Sequence, residues 1–175
     1  MNVWLKELSL DDGDAFCNVL ITLATYKDVY ARPVPSDFTK EEYPGFLKAR
    51  IDLKNGVNIP AYAVITDTYW VMLDDKPIGY ATIRHEADYK KPGGHFGLCL
   101  LKEYQNKGIG SVISELLSSY AYESLGMNEV IYTSKDSNIQ SQRSLEHIGA
   151  VLVDVHDGYH YYKIDLKKKY HGKGR

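Results

Sequence analysis

The chain has 175 residues, of which 44% are apolar and 25% charged. These are ordinary values for one compact domain with a buried core, and they exclude wholesale disorder. Twenty-one basic residues against 23 acidic ones give a net charge of −2, which excludes a broad basic surface for nucleic acid or other polyanions. No apolar run approaches the roughly 20 residues that span a bilayer, and the acidic, interrupted segment Met1 to Phe16 does not read as a signal peptide.

Val3 to Leu8 reads as an edge strand. Asp11 or Asp12 then caps a helix with Ala15, Phe16, Val19, Leu20 and Leu23 at helical spacing. After a loop with Pro33 and Pro35, Thr39 and Glu42 have capping-box spacing. Tyr43, Phe46, Leu47, Arg50 and Ile51 form one stripe of the next helix, which Asn55-Gly56 ends. Thr68 to Leu73 and Ile78 to His85 pair across the turn Asp74 to Pro77. Lys90 to Gly94 breaks the chain, and His95 to Leu101 is a further strand.

The most regular helix follows, with Ile109, Val112, Ile113, Leu116, Leu117, Tyr120 and Ala121 as one continuous apolar face. Val130 to Thr133 is a short buried strand, and Asn138 to Ile148 is a helix stopped by Gly149. Val151 to Val155 and His160 to Leu166 close a hairpin around Asp157-Gly158. The order gives an α+β domain over residues 1–166, a mixed but mostly antiparallel central sheet flanked by helices. The basic residues 167–175 are a frayed tail. The two cysteines, Cys17 and Cys99, fall on segments that read as helix and strand, which implies a reduced, cytoplasmic protein.

Chemistry concentrates in Leu98-Cys99-Leu100-Leu101-Lys102-Glu103-Tyr104-Gln105-Asn106-Lys107-Gly108-Ile109-Gly110-Ser111. This stretch leaves a strand, turns through Gln-x-x-Gly-x-Gly and enters the long helix directly. Glycines allow close backbone approach. The first helical turn presents free amides and the positive end of the dipole, so an anionic phosphate is the natural guest. Lys107 adds charge, and no acid lies within Gln105 to Val112. The Walker spacing is absent, and the third small residue of a dinucleotide fingerprint is replaced by Ile113.

Gln105-x-x-Gly108-x-Gly110 after that strand resembles the acyl-CoA motif of the GNAT acetyltransferase superfamily. Asn138-x-x-Ser141-x-Arg143-x-Leu145-Glu146-x-x-Gly149-Ala150 resembles a second element of the same family, in the right order. The closing Tyr161 to Leu166 and the lead-in Gly93-Gly94-His95 are similar to a subgroup of uncharacterised bacterial acetyltransferases.

The resemblance implies the acyl-CoA N-acyltransferase fold, acetyl-CoA as co-substrate, and direct transfer to an amine. It implies that the backbone of Leu98, Cys99 and Leu100 pairs with the pantetheine arm. The amides of Gln105, Asn106, Lys107, Gly108, Ile109, Gly110 and Ser111 would hold the pyrophosphate. Asn138, Ser141 and Arg143 would lie beside the cofactor, although Asn138 also reads as a plain N-cap.

The tyrosine that family members often carry seven residues after the Asn is Leu145 here. Tyr161 on the closing hairpin is therefore the candidate acid for the departing thiolate, beside Tyr159 and Tyr162, although packing is the commoner use for each. Glu86, acting through water, is the candidate base, with His85 and His95 as neighbours to weigh. The acceptor is a small-molecule or protein amine; the net charge favours a cationic one only slightly. Neither nucleic acid nor membrane is a partner, and exposed sheet edges allow a homodimer. A non-catalytic acyl-CoA-binding domain is the alternative, and a nucleotide oxidoreductase a third reading.

Overall fold

The computed structural model describes residues 2–27 and 32–171. Strand β1 (Val3–Glu7) and helices α1 (Asp14–Ala24) and α2 (Tyr43–Lys54) precede the meander β2 (Thr66–Leu73), β3 (Lys76–Arg84) and β4 (Phe96–Leu100). Helix α3 (Ile109–Glu123) leads to β5 (Glu129–Lys135), and α4 (Ile139–His147) leads to the hairpin β6 (Val151–His156) and β7 (Tyr159–Asp165). A last helix, α5 (Leu166–His171), follows directly.

Period-two alternation in the meander gives each strand two buried faces. Trp70, Met72, Tyr80 and Cys99 pack with Leu20, Leu23 and Leu47 of α1 and α2. Tyr69, Val71, Ile78, Ala81 and Ile83 pack on the opposite side with Ile109, Ile113 and Leu117 of α3. The face expected of α3 is thus narrower than its pattern: Val112 is 46% and Leu116 37% exposed. They lie beyond the arc that the sheet covers.

Several local signals fold as their chemistry dictates. The Thr39 N–H donates to the Glu42 carboxylate at 2.8 Å, around a single 3₁₀ turn before α2. Asp157 and Gly158 take φ of +53° and +79°, as the two-residue turn of a tight hairpin requires. The N-terminal cap of α1 departs from expectation. Gly13 occupies it, while Asp12 turns inward to accept from Trp70 Nε1 at 2.8 Å and Ser9 N–H at 2.8 Å, paired with Lys6. A buried indole N–H with no other acceptor outweighs the capping of one helix amide.

The tail expected to fray forms α5 as far as His171; residues 172–175 lie outside the described residues. Tyr170 donates to Glu115 of α3 at 2.9 Å, Lys169 pairs with the same carboxylate, and Tyr170 stacks on Tyr122.

The strands do not form one continuous sheet. Four run in the order β1-β2-β3-β4 and three in the order β5-β7-β6, with every ladder antiparallel. The two sheets meet at His95. Its backbone N–H donates to Ile131 O at 2.8 Å, and its ring Nδ1 accepts from Ile131 N–H at 2.9 Å. Gly94 lets the strands approach this closely, since a Cβ there would lie 2.5 Å from Ile131 O. Among the described residues no helix is long and apolar enough to cross a membrane.

Candidate active site

Beyond His95 the two strands part, and the ladder on the β3 side decides what faces the opening. Arg84 N–H donates to His95 O at 2.7 Å and Leu101 N–H to Ile78 O at 2.9 Å. With Tyr80 opposite Cys99, the odd-numbered residues of β4 bond to β3. The backbone groups of Leu98 and Leu100 therefore point away from β3, toward β5. Two glutamine side chains close the far ends: Gln105 Nε2 donates to Leu100 O at 2.8 Å, and Gln142 Nε2 to Lys135 O at 3.0 Å. What remains between the strands is a slot bordered by main-chain donors and acceptors, suited to a peptide-like arm.

The slot leads to the start of α3. Gly108 is its N-cap at φ +77°, preceded by Asn106 at φ +61°. The first amide here with an acceptor is Val112 N–H, on Gly108 O at 3.3 Å. Among the described residues, the amides from Asn106 to Ser111 take none. A Cβ at Gly108 would meet nothing within 4 Å, and one at Gly110 only the Leu98 side chain at 3.7 Å.

Free amides, a helix dipole and open space without a nearby acid fit the pyrophosphate of acetyl-CoA. Asn138 caps α4 by accepting from Ser141 N–H at 3.0 Å, and Gln140 bonds Asn106 across the turn. Ser111, Arg143 and His147 line a groove between the two helices, where the Arg143 charge suits a further phosphate. His147 is an addition to the sequence reading, one turn beyond Arg143 on α4.

On the α1–α2 side of the sheet, a cavity of about 400 Å³ reaches β4 at Gly97, Leu98 and Cys99. Tyr80, Thr82, Arg84 and Glu86 descend one face of β3 and its extension into it, and Arg50 enters from α2. Glu86 is thus brought to the strand that borders the slot. The Tyr80 hydroxyl is enclosed next to Thr68 without hydrogen-bond geometry to any described group. Burial raises its pKa, against the pull of the Arg50 and Arg84 charges. Burial pushes the Cys99 thiol up to about 12, which leaves it protonated and poorly nucleophilic.

The other candidates are placed elsewhere. Tyr161, expected as the acid, is fully enclosed, stacked on His156 at 4.3 Å and edge-on to Tyr89, and does not line the cavity. Leu145 is buried against the second sheet. His85 bonds the buried Asp67 carboxylate at 3.1 Å. His95 is committed to Ile131, and burial lowers its pKa.

Arg50, Tyr80 and Arg84 were missed as site residues by sequence reasoning. Alternation in Tyr80-x-Thr82-x-Arg84-x-Glu86 carries the signal, a polar stripe on a strand otherwise buried.

Residues 2–151 match the family description "Acetyltransferase (GNAT) domain". Solved structures agree in fold. Campylobacter jejuni N-acetyltransferase PseH in complex with acetyl coenzyme A superposes with a TM-score of 0.63 at 19% identity, covering 94% of this chain and 99% of that one. A Bacillus anthracis GNAT-family acetyltransferase gives 0.67 at 17% identity, over 95% and 96% of the two chains. Vibrio cholerae spermidine N-acetyltransferase, a dodecamer, gives 0.69 at 14% identity, over 99% and 98%. No curated protein matches by sequence. By the domain match over most of its length, the chain belongs to the GNAT acetyltransferase family, whose co-substrate is acetyl-CoA.

Proposed function

We propose that this protein is an N-acetyltransferase that moves the acetyl group of acetyl-CoA directly onto a primary amine. One observation carries the reading: slot and cavity share β4, so Leu98 and Leu100 offer backbone groups to one side while Gly97, Leu98 and Cys99 line the other. Acetyl-CoA supplies a thioester carbonyl when bound. The chain then has to orient the amine, remove a proton from its ammonium form, and stabilise an oxyanion. Glu86, at the cavity wall, takes the proton through water, and the Leu100 N–H, free of β3, is the oxyanion donor. A thiol is a moderate leaving group near pKa 8.5, so departure does not depend on Tyr161. The buried state of Cys17 and Cys99 accords with a reducing cytoplasm. The exposed edge strand β6, with Val151, Leu152 and Val155 at the surface, supports a homodimer.

The test has two stages. Acetyl-CoA at about 100 times its Kd stabilises by roughly 2.7 kcal/mol, a rise of about 5–10 °C in Tm for a chain of this size; NAD and ATP are the controls. Thiol release is then followed across an amine panel. Glu86→Gln is expected to lower kcat at least about tenfold with acetyl-CoA affinity unchanged; full activity in that variant from pH 6 to 9 removes Glu86 as base. The position of Leu145 favours one second reading, a domain that binds acetyl-CoA without turning it over, and binding with no thiol release on any amine would select it.

A further inference from the structure

We propose that the acceptor is an anionic amine, its ammonium end at Glu86 and a carboxylate or phosphate group held by Arg50 and Arg84. This rests on the cavity being the acceptor site, and it runs against the weak preference for a cation that the overall charge suggests.

The cavity is locally cationic: Arg32, Arg50, Arg84 and Lys91 line it against Glu86 and Asp88. Asp88 Oδ1 accepts from the backbone N–H groups of Lys90 at 2.8 Å and Lys91 at 3.3 Å. That leaves Glu86 as the one lining carboxylate without a hydrogen bond among the described residues.

Neither central guanidinium has a carboxylate partner among the described residues. Arg84 spends Nη1 on the carbonyls of Gly93 and Gly94, which fixes its plane and leaves Nε and Nη2 to donate. Arg50 lies over the Phe46 ring at 5.4 Å and makes one long contact, 3.4 Å, to Pro33 O. Both charges act on the enclosed Tyr80 hydroxyl, itself without an acceptor. Two positioned, half-buried guanidiniums and an orphaned phenol at 5% exposure form a donor set for a compact anion. A cationic acceptor would have to bring a second positive charge against them.

The experiment reads binding first, so it needs no turnover. Titration calorimetry, with CoA present, compares O-phosphoethanolamine with ethanolamine and β-alanine with β-alaninamide, and adds the diamine putrescine as a cationic probe. The anionic member of at least one pair is expected to bind about 10- to 100-fold more tightly than its uncharged-tail counterpart; which pair responds tells phosphate from carboxylate. Arg50→Gln should abolish that difference, Arg50→Lys should restore part of it, and the Tm of both variants should stay within about 3 °C of the parent. Equal or weaker binding of both anionic members, a preference for putrescine, no binding of any probe, or a preference that survives Arg50→Gln overturns the proposal. Thiol release on the same panel is read separately: anion-selective binding without release would leave this inference standing and remove the transferase reading.

Discussion

Replacing His95 by alanine tests the junction that makes the site. The ring Nδ1 accepts from Ile131 N–H at 2.9 Å inside the protein, and His95 itself is 8% exposed. Truncation leaves a buried N–H without an acceptor, at a cost of about 1–3 kcal/mol, and the lost ring packing adds roughly 1 kcal/mol. A loss of about 2–4 kcal/mol lowers Tm by about 5–12 °C in a chain of this length.

The effect has a pH signature. Only neutral imidazole, protonated at Nε2, can accept at Nδ1, and burial holds the folded pKa below the ordinary 6.5. As pH falls through 6.5 the unfolded chain takes up a proton that the folded chain refuses, so the parent loses stability that the alanine variant does not. Thermal unfolding of both proteins between pH 7.5 and 5 should therefore show their Tm values converging on the acid side. Other groups titrate equally in the two proteins and cancel in the difference. A Tm within about 2 °C of the parent at pH 7.5, or a gap that is constant or widens on acidification, would refute the assignment of His95 as the acceptor that joins the sheets.

Gly110→Trp should raise the Kd for acetyl-CoA by at least about 100-fold, since bulk there competes with the phosphates for the amides of the first turn. Its Tm should move by only a few degrees, because a Cβ at that position touches only the Leu98 side chain. Calorimetry and a melting curve on one preparation check both, and retained affinity would displace the phosphate site. Tyr161→Phe removes a hydroxyl that is buried without a partner. Stability should hold or rise by up to about 1 kcal/mol, and kcat on a responsive amine should stay within about twofold; a large fall in kcat would restore Tyr161 as the acid.

The parts of the site legible in the sequence are those encoded locally. Gly108 and Gly110 announce close backbone approach, Asn138 announces a cap, and the absence of acids from Gln105 to Val112 announces an anion; the geometry of each stays within one turn of chain. What stayed illegible is joined through space. His95 and Ile131 are 36 residues apart, and nothing near either indicates that one will end the ladder of the other. Arg50 reads as part of an amphipathic stripe until α2 is laid beside Tyr80 and Arg84. Val112 and Leu116 satisfy a helical period, yet periodicity does not say how wide an arc the sheet will cover. Asp12 fits a cap as well as Asp11 does until the indole that claims it, 58 residues away, is brought beside it.

The slot between β4 and β5 has a consequence for how such a site can be damaged or altered. Its polar lining is main chain, and β4 presents Leu98 and Leu100 to it through groups that every non-proline residue possesses. Selection can therefore act there on strand direction, register and the room left by glycine, but hardly on side-chain identity. Residues along that stretch can drift while the slot persists. An alanine scan from Phe96 to Leu101 would report packing and pass over the slot itself, whereas exchanging single amides for esters at Leu98 or Leu100 would expose it, one missing N–H at a time.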